Sequence, residues 1–433
     1  MSTEQTRAGN YFVSNYPPFS AWSADAVAGV SAKLASPPAA DVPLGLYVHL
    51  PFCRKRCDFC YFKVYTDKSS ADIRRYLDSL ARELALLAET PYLAGRRPSF
   101  VYFGGGTPSY LSANQLRELF GALSAVLPFD DAEEIAFECE PGTLQEPKAA
   151  ALAELGVTRA SLGIEHFDPG ILERNNRAHR ADEILRAYGF LGAAGFDSVN
   201  VDLIAGMVGE TDATWSECIE RTIELLPESV TIYQMEVPFN TTLYDRMREG
   251  GEAVAPVADW ATKRRWADEG FARLEAYGYR LGSAYTACRD EQASFLYRDS
   301  LWRGADMLGI GVSSFSHLGG VHFQNEHEIG TYERRVAAGE APHLRAYPMD
   351  ADERLVREFL LQMKLGRVET AFFEEKFGVD PRERFADALA RQEADGLVEL
   401  DGGEIRTTRA GLMQVDGLLP AYFRPEHRTE RIS

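Results

Sequence analysis

From Leu44 to Met235 the chain alternates short apolar runs with amphipathic ones, and this alternation restricts the fold more than any other feature. The runs at 44–50, 99–103, 135–140, 159–164, 198–204 and 229–235 carry hydrophobic residues on both strand faces. Between them, 71–93, 114–127, 148–155, 182–194 and 214–226 place apolar residues at helical spacing with charges in between. Strands apolar on both faces, each followed by a helix, predict an α/β fold with a parallel sheet covered by helices. The order points to a barrel or partial barrel. Chemistry in such folds gathers at the C-terminal strand ends.

Three cysteines follow the first of these strands directly. Cys53, Cys57 and Cys60 have the spacing C-x3-C-x2-C, with an aromatic, Phe62, two places beyond the last thiol. Three thiolates on a short loop can hold three irons of a cubane cluster and leave the fourth open for chemistry, where a structural cluster wants four protein ligands. A zinc loop is the rival reading, but zinc wants a fourth ligand. His49 lies inside the apolar strand and reads as a core or site-lining histidine. Cys139, Cys218 and Cys288 are far apart and read as small buried hydrophobes.

A formal net charge of −19 over 433 residues argues against nucleic acid as the main partner. No apolar run is long enough to span a bilayer, and Met1–Gln5 lacks the pattern of a secretory leader. Both point to the cytoplasm. Arg54, Lys55, Arg56 and Lys63 cluster around the cysteine loop; they read either as a solvated basic face or as an attraction for an anionic substrate or electron-donor protein.

Residues 10–22 are aromatic and proline-containing, an extended arm expected to pack its rings on the body. Residues 33–43 read as a linker. After Tyr347 the rhythm stops: helical patterns at 352–365 and 382–395 precede a hairpin over 396–406 with a Gly-Gly turn. This winged-helix-like α+β arrangement predicts a packing or substrate-lid role, given the acidity of the chain. The expected units are therefore 1–43, 44–346 and 347–433.

With these phrases in place the sequence resembles the radical S-adenosylmethionine superfamily, and within it the oxygen-independent coproporphyrinogen III oxidase (HemN/HemW-like) family. Tyr47-Val48-His49-Leu50-Pro51-Phe52-Cys53 is similar to that family's entry to the cluster, and Phe103-Gly104-Gly105-Gly106-Thr107-Pro108 to its glycine motif. Glu138-Cys139-Glu140-Pro141-Gly142-Thr143, Gly163-Ile164-Glu165-His166-Phe167, Asn200-Val201-Asp202-Leu203-Ile204 and the phrase from Trp302 to Val312 continue the likeness. Asn15-Tyr16-Pro17-Pro18-Phe19 is similar to the oxidase's own arm.

The resemblance implies a partial (β/α)6 radical barrel with an N-terminal arm and a smaller C-terminal HemN-like domain. It implies a [4Fe–4S] cluster on Cys53, Cys57 and Cys60, and S-adenosylmethionine on the open iron, cleaved to a 5′-deoxyadenosyl radical. Tyr47 and Glu138 would contact that molecule, and Phe59 and Gly105 would be cofactor-binding. A second S-adenosylmethionine would be lined by Gly106, Thr107, Glu165, Arg177, Asp202, Met235 and Phe315. Arg177 could instead serve as the structural partner that offsets the buried Asp202.

The implied reaction is oxidative decarboxylation of coproporphyrinogen III, an anionic tetrapyrrole, with a reduced flavodoxin or ferredoxin-type electron donor. The rivals are a methyltransferase or cyclopropane-forming relative in specialised metabolism, and a haem chaperone-like protein. Three departures stand out. Glu165 replaces the family's usual glutamine, Gly206-Met207-Val208-Gly209-Glu210-Thr211 replaces Gly-Leu-Pro-Gly-Gln-Thr, and Phe62 stands where the oxidase tends to carry a further cysteine.

Overall fold

The structure is a computed structural model that describes residues 5–39, 41–290 and 293–428. Of the stretch Met1–Gln5 read for a leader, all but Gln5 lie outside the described residues. Twelve strands form one sheet: β1 (Leu44–Leu50), β2 (Phe100–Gly105), β3 (Glu134–Cys139), β4 (Arg159–Glu165), β5 (Ser198–Ala205), β6 (Ser229–Gln234), β7 (Arg280–Leu281), β8 (Thr286–Cys288), β9 (Asp306–Ile310), β10 (Phe315–Leu318), β11 (Val321–Asn325) and β12 (His343–Pro348). Their order is β12-β11-β10-β9-β1-β2-β3-β4-β5-β6-β8-β7.

Strands β1 to β6 pair in parallel, each with the next, and β6 does not return to β1, so the barrel is partial. The apolar composition of β1 has its consequence here: every position except Tyr47 is buried. The helices Ser70–Ala88, Ala113–Val126, Glu146–Glu154, Ala181–Ala194 and Asp212–Leu225 alternate with these strands. The first begins on a Ser69/Asp72 capping box. It ends at Ala88, short of the expected 93, because Pro91 cannot extend it and the chain turns through Thr90.

Three parts of the sheet went unread in the sequence, the first being β8 and β7, which add antiparallel beyond β6. Strand β9 adds in parallel to the far side of β1, and β10, β11 and β12 continue from it antiparallel. The arm is not simply extended either, since it contains a short turn at Phe19–Ala21 and a helix, Val27–Leu34, that buries Val30 and Leu34. In the C-terminal unit, helices Ala351–Met363, Thr370–Phe377 and Ala386–Ala394 accompany the expected hairpin, β14 (Val398–Asp401) and β15 (Glu404–Thr407). An unforeseen strand, β13 (Arg367–Glu369), pairs with β15 on its other side. No helix among the described residues is long and apolar enough to cross a membrane.

Glu83, fully buried on helix Ser70–Ala88, braces the loop after β9. It accepts hydrogen bonds from Tyr332 Oη at 2.6 Å, Gly311 N at 2.8 Å and Asn325 Nδ2 at 2.5 Å. Burial pushes its carboxyl up to about 7, against those three donors. Glu83→Ala leaves Tyr332 Oη and Gly311 N unmet, while Asn325 Nδ2 keeps Gly311 O and Ser314 Oγ, and a loss of roughly 3 kcal/mol is expected. The chemical denaturation midpoint reads it; a change under ~1 kcal/mol would mean the donors re-pair or are solvated.

Candidate functional site

The cysteine loop leaves β1 at the end where the parallel strands finish. Backbone bonds tie it down on three sides: Cys53 N to Tyr65 O (3.1 Å), Asp58 N to Asn175 O (3.3 Å) and Thr107 N to Phe52 O (2.8 Å). Arg56 Nη2 donates to the carbonyls of Cys60 and Asn240 at 3.0 and 2.7 Å. All three thiols are free; Cys53 and Cys57 are buried and Cys60 is half-buried. Thr107 Oγ1 donates to Cys53 Sγ at 3.3 Å, and Arg177 Nη1 to Cys57 Sγ at 3.2 Å. Two of the three sulfurs therefore already have a donor suited to a thiolate.

Burial pushes the Cys53 thiol up to about 12 and that of Cys60 to about 11. A coordinated cation reverses that tendency and deprotonates such thiols outright. Zinc would want a fourth protein ligand, and the loop offers three thiols. In a cubane each thiolate meets a different iron. The donors, the shared loop and the soft sulfur set suit an iron–sulfur cluster.

Beside the loop lies a polar wall. Tyr47 Oη and His49 Nδ1 are 3.0 Å apart, and Glu138 accepts from Tyr102 Oη at 2.5 Å and from Gly105 N at 3.1 Å. Buried His49 Nε2 has no partner, and burial lowers the ring to about 4. Gly105 has φ +116°, and a Cβ there would lie 2.6 Å from His49 Cε1. At Gly106 a Cβ would stand 3.0 Å from Cys53 Sγ and 2.9 Å from the Pro51 carbonyl carbon. These two glycines leave a cradle between sulfur and wall that any side chain would fill. Burial pushes Glu138 up to about 7; the Tyr102 hydrogen bond works against that, and Asp202 and Glu165 add to it.

The remaining residues singled out from the sequence do not all meet. Glu165 Oε1 pairs with Arg177 Nη2 at 3.3 Å. Asp202 is held by Ser161 Oγ at 2.7 Å and Asn200 Nδ2 at 2.9 Å, which replaces the idea that Arg177 offsets it. Phe59 packs against the apolar group of Ile171, Met207 and Met235. Phe315 lies under the arm, its ring stacked on Phe19 at 4.4 Å. The basic loop is less open than expected. Arg54 is paired with Glu140 (3.1 Å) and Glu183 (3.8 Å), and Lys63 with Glu328 (2.8 Å), leaving Lys55 exposed.

Two features of the surroundings were missed. Lys263, on helix Trp260–Ala276, is buried and donates to Met235 O at 2.7 Å and Thr6 Oγ1 at 2.8 Å. It shares the apolar stripe of Trp266, Ala267, Gly270 and Phe271, and a lysine on such a stripe was the available signal. The other is Glu140, which holds Arg54, Gly142 N and His179. Burial raises Glu140, but the hydrogen bond and charge of His179 and the charge of Arg54 outweigh it and bring the group to about 2. A lowered carboxyl adds stability that is present above its ordinary value near 4.5 and is lost as pH falls toward 2. The stability gap between the wild type and Glu140→Gln is therefore expected to be full at pH 6, to narrow below about pH 4.5 and to close as pH reaches about 2 in acid titrations of chemical denaturation. A gap independent of pH would place the effect outside ionisation.

A three-thiol loop on the first strand of an open parallel barrel defines the radical S-adenosylmethionine class. Residues 47–222 match the family model of the Radical SAM superfamily, and residues 349–413 that of the HemN C-terminal domain. The oxygen-independent coproporphyrinogen III oxidase of Pseudomonas aeruginosa is 29% identical over 412 residues, 90% of this chain and 88% of that protein. The heme chaperone HemW of Bacillus subtilis is 26% identical over 385 residues, 87% of this chain and 98% of its own. Among solved structures, coproporphyrinogen III oxidase (HemN) from Escherichia coli, described as a radical SAM enzyme, superposes with a TM-score of 0.79 at 26% identity. That match covers 96% of this chain and 99% of that one. The chain belongs to the oxygen-independent coproporphyrinogen III oxidase (HemN/HemW-like) family of the radical SAM superfamily. Its cofactors are those of the class, a [4Fe–4S] cluster and S-adenosylmethionine.

Proposed function

We propose that the chain is a radical-generating oxidase that takes hydrogen from a tetrapyrrole, converting propionates of coproporphyrinogen III to vinyl groups by oxidative decarboxylation. One observation carries the reading. The likeness to HemN runs through arm, sheet and C-terminal unit alike, so whatever encloses the substrate there has a counterpart here.

In this reading Cys53, Cys57 and Cys60 hold the cluster. When bound, the cluster and S-adenosylmethionine supply reductive cleavage of the sulfonium to methionine and a 5′-deoxyadenosyl radical. The protein's part is orientation and exclusion of water. Gly105 and Gly106 leave room for the amino-acid end, and Tyr47 and Glu138 offer hydrogen bonds to the adenosyl end. Above them the arm is anchored on both sides. Glu236 accepts from the amides of Tyr11 and Phe12, and Arg345 and Arg357 reach Phe19 O and Asn15 Oδ1. A reduced flavodoxin or ferredoxin-type donor in the cytoplasm would supply the electron.

A second reading has its own support. The strand ends carry three half-buried acids, Glu138, Glu165 and Asp202, with Arg177 paired to Glu165, an unwelcoming surface for a tetra-anion. With Phe62 in place of a cysteine, this favours a methyl-transferring or cyclopropane-forming relative. Anaerobic reconstitution, reductant and product analysis separate the readings. Deoxyadenosine with vinyl products from coproporphyrinogen III supports the oxidase, and S-adenosylhomocysteine supports methyl transfer. Stable haem binding without turnover would leave the chaperone role.

A further inference from the structure

The cysteine loop is held in two halves. Its first half belongs to the barrel: Gly106 N donates to Leu50 O and Thr107 N to Phe52 O, both at 2.8 Å, on either side of Pro51 and just before Cys53. The second half, Cys57-Asp58-Phe59-Cys60, is a turn closed by Cys60 N on Cys57 O at 3.2 Å. From one side Asn175 O accepts from Asp58 N at 3.3 Å, and Asn176 Nδ2 donates to Arg56 O at 2.9 Å. The other side is met by residues 240–246. Leu243 N donates to Asp58 O at 2.8 Å and Asn240 Nδ2 to Tyr61 O at 2.7 Å, while Arg56 Nη2 joins Cys60 O to Asn240 O.

The side chains reinforce this contact. Asp58 is only 5% exposed, and Arg246, 59% exposed, donates to both its oxygens from both terminal nitrogens. That is the forked geometry a guanidinium offers a carboxylate. No other side chain among the described residues bonds the Asp58 carboxylate. Phe59, the next residue, packs against the apolar group that contains Leu243 and Met247. Helix Thr242–Gly250 thus turns Leu243, Arg246 and Met247, three and four residues apart, toward the same turn of the loop. Its start is fixed by buried Thr241, whose hydroxyl accepts from Tyr244 N at 3.2 Å and donates to Pro238 O at 2.8 Å. All of these helix residues lie outside the two segments that match family models, 47–222 and 349–413.

We propose that helix Thr242–Gly250 clamps the cluster loop and that Arg246 is a positioning residue, holding Cys57 and Cys60 through Asp58 so that they share one cluster with Cys53. Without Arg246 the Asp58 carboxylate is buried with no counter-charge, a state relieved by turning it out to water. The turn then moves outward with Cys57 and Cys60 at its ends. Cys53 stays behind, because its half of the loop is anchored separately on the barrel. The inference rests on the reading of these three thiols as cluster ligands.

The test uses the full chain, with and without its cluster. In the reduced, cluster-free protein, iodoacetamide labelling mapped by mass spectrometry is expected to run about tenfold faster at Cys57 and Cys60 in Arg246→Ala than in wild type. Cys53 and buried Cys139 are expected to label at the wild-type rate. In the anaerobically reconstituted protein, iron release to a chelator is expected to be roughly 10-fold faster in Arg246→Ala. The cluster's midpoint potential, followed by electron paramagnetic resonance, is expected to fall, because a carboxylate beside two ligating cysteines has lost its counter-charge. Arg246→Lys returns the charge without the fork, and should restore the potential and part of the iron retention. Labelling that rises equally at Cys53 or nowhere, an unmoved potential, or a lysine variant no better than alanine would each overturn the clamp while the cluster stood. A wild type that takes up no iron would fell the cluster reading, and the labelling would still decide whether helix and loop are coupled.

Discussion

Cys53→Ala, Cys57→Ala and Cys60→Ala, made one at a time, are each expected to strip the reconstituted protein of cluster iron and of all 5′-deoxyadenosine formation. The expectation follows from the count of ligands. With three thiolates for four irons there is no spare protein ligand, and removing one exposes a second iron to solvent and exchange. Iron content and the visible charge-transfer absorbance read the loss. Cys139→Ala, Cys218→Ala and Cys288→Ala serve as controls: these thiols are buried among apolar side chains and should keep full iron with a modest loss of stability. Thr107→Val falls between. It removes the hydroxyl that donates to Cys53 Sγ, and a loss of roughly 10–100-fold in metal affinity is expected for a partner of a ligand. Full iron retention in any of the three ligand variants would mean that another side chain completes the site.

How much of this was legible in the sequence depends on the range of the interaction involved. Strands β1 to β6 announce themselves because burial on both faces demands consecutive apolar residues, and the cysteine spacing is local. Strand β9 was legible as a family phrase but not as a strand beside β1. That pairing joins Asp306 to Leu44 across more than half the chain, and nothing in either segment records it. The site behaved likewise. Residues adjacent to glycines or cysteines in sequence, such as Thr107, were singled out, but the bond from the Thr107 hydroxyl to Cys53 Sγ was not read. The carboxylate that neutralises Arg54, Glu140, was quoted within a family phrase but given no role. Buried charges left a fainter trace. Glu83 stands on the same apolar stripe as Leu80, Leu84 and Leu87, a misplacement that only a partner can explain. The basic loop misled for the opposite reason, since its charges are conspicuous in sequence and their partners, Glu140, Glu183 and Glu328, are remote.

The largest stability effect away from the cluster is expected where arm, barrel and C-terminal unit are tied together. Lys364 is fully buried, with its Nζ 2.8 Å from Asp416 Oδ1, 2.5 Å from Val13 O and 4.0 Å from the centre of the Phe12 ring. Asp416 in turn accepts from Val13 N at 2.8 Å and from Tyr285 Oη at 2.5 Å. Asp416→Ala therefore strands a buried ammonium and two donors at once. Breaking one side of a buried pair costs about 3–5 kcal/mol, and the upper half of that range is expected because three contacts go together. Replacing both members, Lys364→Met with Asp416→Leu, should recover the part of the loss due to the stranded charge, while Val13 N and Tyr285 Oη stay unmet. The arm is the part that comes free, so limited proteolysis between Tyr11 and Trp22 should accelerate in Asp416→Ala before global unfolding is seen. Were the single variant within ~1 kcal/mol of wild type, water would have to reach Lys364, and the arm would not be held by this pair.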